Sequence, residues 1–138
     1  MTLEQFLDRN DRIDVIAVAT FPPSPPNFVE LKGPNGRVTQ LAAKMEYIAA
    51  RLEIGVLESG LFGSTAHAVL DTFAGGRVLS FDYLHAPDHP HVSAVRIRMD
   101  NGDLIVSAGA MPCSIFFSFR SAQLGDPEIP IHELRALR

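Results

Sequence analysis

Residues 38–55 read VTQLAAKMEYIAARLEIG, and the assignment of this stretch decides the fold class. Val38, Leu41, Ala42, Met45, Ile48, Ala49 and Leu52 fall at i, i+3, i+4, i+7, i+10, i+11 and i+14. That is the stripe of an amphipathic helix. Asn35 or Thr39 supplies a cap at one end, and Gly55 stops the helix at the other. The opposite face then carries Gln40, Lys44, Tyr47 and Arg51. Such a face is either solvated or a helix–helix contact. In the second case Lys44, Tyr47 and Arg51 form the interface, with the aromatic ring as anchor.

On either side of this segment the pattern changes. A short helix opens the chain, with Thr2 and Gln5 spaced as a capping box and Leu3, Phe6 and Leu7 on one face. IDVIAVATF (13–21) is apolar and β-branched, as a central strand is. PPSPPN (22–27) has four prolines and cannot join a ladder, so it is expected to be a stiff exposed connection. FVELK (28–32) is a second strand, closed by GPNG.

From Ala66 the apolar period is two, and strands are expected at 66–73, 77–85, 92–99, 103–109 and 114–120. Gly75-Gly76 and Asn101-Gly102 are hairpin signals. A two-residue turn at 101–102 pairs Met99 with Leu104, Ile97 with Val106 and Val95 with Ala108. One at 75–76 pairs Thr72 with Leu79 and Leu70 with Phe81, and sets Asp71 beside Ser80.

Between the strands 77–85 and 92–99, matching the apolar faces pairs Phe81 with Ile97, Tyr83 with Val95 and Leu79 with Met99. Asp82 then stands opposite Arg96, and Ser80 opposite Arg98. A slip of one residue would turn Arg96 and Arg98 onto the apolar side. The outer face becomes a polar stripe that includes Asp71, Asp82, Arg96, Arg98 and Ser107. It is either a solvated, ion-paired surface or a binding face.

The 138 residues are expected to make one α+β domain: an antiparallel sheet with the amphipathic helix packed on one face. The net charge of −4 and the absence of Trp argue against a nucleic-acid partner. No apolar run is long enough for a transmembrane helix, and no basic segment leads into an apolar one at the start. Membrane association is therefore not expected, and a cytoplasmic location is. The single Cys113 excludes an internal disulfide, and its place before an apolar strand suggests a small buried residue.

HAPDHPHV (85–92) concentrates three of the five histidines. His85, Asp88, His89 and His91 offer the donor atoms of a transition-metal site. Pro87 and Pro90 prevent the helix on which a His-x-x-x-His pair converges. The same residues make an ordinary exposed loop, and no cofactor is expected. Ser64 lacks a nucleophile-elbow pattern, and no glycine-rich phosphate loop is present.

The order helix, strand, strand, long helix and antiparallel strands resembles the roadblock (dynein light-chain) family. LEQFLDRNDRIDVIAVATF (3–21), FVELKGPNG (28–36) and AAKMEYIAARL (42–52) are similar to its small bacterial members. The resemblance covers roughly the first 50 residues. It implies a roadblock/profilin-like sandwich and a non-catalytic homodimeric regulatory module, often beside a small GTPase. Self-association is expected through the 38–52 helix or the edge of the strand at 66–73. Two other readings stay open. One is a small metal- or ligand-binding protein or enzyme using the 85–91 loop. The other is a carrier with a cavity lined by Phe62 and SIFFSF (114–119).

Overall fold

In a computed structural model the chain is described over residues 2–20, 25–34, 36–46, 49–55, 68–88 and 91–136, with backbone alone at 44–46 and 49–55. Residues 38–55 are not a helix. They form two antiparallel strands, β3 (Val38–Glu46) and β4 (Ala49–Gly55), paired Leu41 to Ile54, Ala43 to Leu52 and Lys44 to Arg51. On its other side β3 pairs with β2 (Phe28–Lys32), Phe28 to Ala42 and Leu31 to Thr39. The proposed interface face therefore does not exist as a helix face. Lys44 and Arg51 are cross-strand partners, and Tyr47 lies outside the described residues.

The reason is tertiary. Thr39, Leu41 and Ala43 alternate onto the buried side of the sheet, at 1%, 0% and 8% exposure. The alanine-rich stretch satisfies a period of two as well as one of 3.6. Pairing with β2 then decides between them, because context overrides intrinsic propensity.

The architecture is two antiparallel sheets, which replaces the expected α+β arrangement. The first has the order β4-β3-β2-β1-β5, with β1 at Val15–Thr20 and β5 at Ala68–Ala74. The second has the order β10-β9-β8-β7-β6-β11. Its strands are β6 (Val78–His85), β7 (Ala94–Met99), β8 (Gly102–Ala108), β9 (Ile115–Phe119), β10 (Ala122–Leu124) and β11 (Arg135–Ala136). One apolar core joins them. Ile16, Val18, Val29, Leu31 and Leu41 from the first sheet meet Ile97, Leu104, Val106, Phe117 and Phe119 from the second. Strands with one face buried and one outward are what a sandwich requires. Phe116, Phe117 and Phe119, expected to line a carrier cavity, are packed and buried, and Phe62 lies outside the described residues.

A short helix, α1 (Leu3–Arg9), contributes to this core. Thr2 Oγ1 accepts from the Gln5 amide, and Gln5 Oε1 accepts from the Thr2 amide, both at 3.1 Å. Leu3 and Phe6 are fully buried. Tyr83 on β6 donates its hydroxyl to the Glu4 carboxylate, tying the helix to the second sheet. Burial, then that hydrogen bond and the charge of Glu4, hold the phenol protonated well above its usual range.

The folded state thus keeps a proton that the unfolded state releases near pH 10. Stability from this group is complete below that pH and falls as pH rises through the higher folded-state value. Denaturant unfolding at pH 9, 10 and 11 is expected to lose stability more steeply in the wild type than in Tyr83→Phe. Equal slopes would contradict this role for Tyr83.

Three other expectations are corrected. Gly75-Gly76 does not close a hairpin. It carries the chain from the first sheet to the second, and β5 pairs with β1, Ile16 to Phe73, Ala17 to Thr72 and Val18 to Asp71. Asp71 is thus remote from the register that set it beside Ser80. At the next turn the loop is Asp100-Asn101, so Met99 pairs with Gly102, Ile97 with Leu104 and Val95 with Val106. Of the connection at 22–27, residues 22–24 lie outside the described residues, and the rest is not exposed. Pro26 and Asn27 are buried, and the Pro26 carbonyl accepts from the Ile115 amide at 2.9 Å. Among the described residues no helix is long and apolar enough to cross a membrane.

Candidate functional site

The histidine-rich loop begins where β6 ends. His85 is the last residue of β6, pairs with Arg135 of β11, and donates Nδ1–H to the Ala86 carbonyl at 2.8 Å. Asp88 and His91 are exposed, and His89 lies outside the described residues. Among the described residues no three His, Cys, Asp or Glu side chains are grouped so as to hold a metal ion.

What sequence reasoning missed is the neighbour of this loop. Residues 126–136 run back across the outer face of the second sheet. The Ala110 amide donates to the Asp126 carbonyl at 2.8 Å, and the Glu128 amide to the Ala108 carbonyl at 3.0 Å. Leu134 is buried on Leu84, Ala86 and Ala94, with Ile129 and Ile131 beside it. This strap brings Ile129, His132, Glu133 and Arg135 to a shallow groove shared with Pro87 and Asp88. The apolar spacing of Ile129, Ile131 and Leu134 in the tail was the available signal.

The polar stripe is divided between the two sheets. Phe81 pairs with Ile97, Tyr83 with Val95, and Ser80 with Arg98, while Val78 rather than Leu79 meets Met99. Asp82 faces Arg96, and Arg96 Nη2 lies 3.0 Å from Asp82 Oδ2. Arg98 stands between Ser80 and Asp103. Both members of the Asp82–Arg96 pair are part-exposed, so it contributes about 0.2–1 kcal/mol. Ser107 is buried, and Asp71 belongs to the other sheet.

Asp71 marks a third place. Among the described residues strand β5 forms the end of the first sheet, bonded on one side to β1. Val69 is 56% and Leu70 44% exposed, and the pairing with β1 is interrupted there by a bulge. Phe73 points the other way. Its ring stacks on Phe117 at 5.2 Å and meets Phe119 edge-on at 6.0 Å. Between this strand and the β9–β10 turn runs an open groove lined by Thr72, Phe73, Ala74, Phe119, Arg120 and Ala122.

Arg120 has φ +57°, a left-handed conformation uncommon outside glycine. A Cβ on Gly102 would stand 2.9 Å from Arg120 Cγ, so the glycine leaves room for the arginine stem. Among the described residues no carboxylate lies within ion-pair distance of Arg120. Cys113, expected to be buried, is exposed with φ +58°.

These features define a class: an antiparallel two-sheet β-protein whose first sheet, among the described residues, ends in β4 and β5. Comparisons with protein-family models, with curated proteins and with solved structures find no match for the chain. The implied small-GTPase partner therefore has no support in the fold or in a relative.

Proposed function

We propose that this chain is a non-catalytic interaction module that captures its partner by strand addition along β5. The observation that supports the reading is the edge itself. Ala68–Ala74 is seven residues long, with Val69 and Leu70 exposed, and its sequence AVLDTFA contains neither Lys nor Pro. Edge strands are ordinarily blunted by such residues, because their free N–H and C=O groups template pairing with another chain. Asp71, the one charge on the strand, and the bulge at Leu70 limit the pairing to part of this edge, and Asp71 Oδ1 accepts from the Thr72 amide at 3.2 Å, a contact that an added strand replaces. Main-chain hydrogen bonds would give affinity, and the groove beside Phe73 would give specificity.

A random library of extended peptides selected on the immobilised protein tests this. Selected peptides are expected to shift the backbone amide resonances of residues 68–74. They are expected to lose binding to a Val69→Lys, Leu70→Lys variant, whose changes fall on exposed positions. Peptides that bind the Asp88–His132 groove instead would favour the ligand-binding reading of the loop. Selection of none would count against both.

A further inference from the structure

We propose that the occupant of the β5 edge is the β5 strand of a second copy of this chain, antiparallel and centred on Thr72. The inference rests on the strand-addition reading and adds a partner, a register and an ion pair.

The groove asks for a particular ligand. A strand added to β5 directs every second side chain toward the core side. There it meets the rings of Phe73 and Phe119 and the cation of Arg120, which has no ion-pair partner among the described residues. The complementary strand therefore carries an apolar and an acidic residue two positions apart on one face.

Strand β5 has that pattern itself. Phe73 is paired with Ile16, and Asp71 with Val18. Cross-strand partners share a face, and Ile16 and Val18 are both fully buried, so Phe73 and Asp71 lie on the core-facing side together, Phe73 half-buried and Asp71 exposed at its margin.

The register follows from charge. A two-fold axis at Asp71 would oppose two carboxylates, which is destabilising. An axis at Thr72 sets Thr72 opposite its twin, Asp71 opposite Phe73, and Leu70 opposite Ala74. Each Asp71 then enters the partner's groove beside Arg120, giving two symmetric Asp71–Arg120 ion pairs. The Thr72 hydroxyls meet on the outer face, a favourable cross-strand pair. The contact is isologous and closes as a dimer rather than growing into a fibre.

Sedimentation velocity of the full chain between 1 and 200 µM tests the proposal. The wild type is expected to form a dimer. Asp71→Arg and Arg120→Asp are each expected to weaken it roughly tenfold, since both pairs are lost and like charges meet. Aspartate tolerates the left-handed backbone at position 120, so that variant keeps the turn. Thermal unfolding within a few degrees of wild type identifies a folded variant. The combined Asp71→Arg, Arg120→Asp chain is expected to recover dimerisation, which no merely structural role would produce.

A monomeric wild type at 200 µM would overturn the inference, as would a dimer indifferent to both single changes. Either result leaves strand addition standing if selected peptides still map to residues 68–74. Loss of that mapping removes the parent reading.

Discussion

Phe117→Ala is expected to lower the unfolding free energy by about 3–5 kcal/mol, the range for deleting a fully buried aromatic ring. Phe117 has no exposed surface and pairs with Val106 of β8 in the middle of the second sheet. Its ring also lies against Phe73, the side chain that fixes β5 to the core. The cavity therefore has two effects. Global stability falls, with a drop in Tm of roughly 10–20 °C. In addition, amide exchange in β5 is expected to accelerate more than in β7, because the edge strand loses its main contact with the opposite sheet. Thermal denaturation and residue-resolved hydrogen exchange check the two parts. A drop under about 1 kcal/mol would mean that Phe117 is not in the shared core.

Gly75→Ala is expected to cost about 3 kcal/mol, the upper end of the overpacking range. A Cβ at this position would stand 2.2 Å from the Ile13 carbonyl oxygen and 2.9 Å from Ile13 Cγ2. The Gly75 amide donates to the Asp14 carbonyl at 3.1 Å, and the Ile13 amide to the Gly76 carbonyl at 2.9 Å, so neither chain can move aside without losing hydrogen bonds. Gly36→Ala is the contrasting case. Its φ of +72° carries a conformational penalty, but nothing lies within 4 Å of the added atom. It is expected to cost only about 1–2 kcal/mol. Equal losses for the two variants, measured by urea unfolding, would show that close approach at Gly75 is not what the glycine serves.

Gly75 also shows what the sequence conceals. A Gly-Gly pair between two alternating stretches is a hairpin signal. Here the glycines serve contact with Ile13 and with the Asp100-Asn101 turn, where a Gly76 Cβ would stand 2.4 Å from each side-chain oxygen. Those contacts are non-local, so no local pattern reports them. The same side chains explain the slide at the 99–102 turn. Asp100 Oδ1 accepts from the Arg77 amide, and Asn101 Nδ2 donates to the Gly75 carbonyl, both at 3.0 Å. They fix the turn one residue earlier than Asn-Gly preference alone would. The slide changes every partner, yet the same residues stay on the buried face, because the displacement between strands is two residues.

The β6–β7 register was legible because arginines at 96 and 98 alternate with buried residues at 95, 97 and 99. A slip of one residue would turn those charges into the core, and the residues paired on either side of Asp82–Arg96 keep them out. The strap leaves little trace in the sequence because Leu134 is its one buried apolar residue and Pro130 breaks the run of the half-buried Ile129 and Ile131. The groove at β5 was hard to see for another reason. Phe73, Arg120 and Asp71 are assembled from two sheets, and the sheet assignment itself turns on residues 38–55. Read as a helix, that segment leaves β2 without its second neighbour and reduces the first sheet from five strands to β2, β1 and β5.

The reading of residues 38–55 is therefore the claim to test. Nuclear Overhauser contacts between backbone protons of an isotope-labelled sample separate the alternatives. The sandwich predicts cross-strand contacts between the pairs Leu41–Ile54 and Ala43–Leu52, and between β2 and β3 at Val29–Leu41. Sequential amide–amide contacts with i to i+3 contacts from Leu41 through Leu52, and no cross-strand contacts, would contradict it and restore the helix.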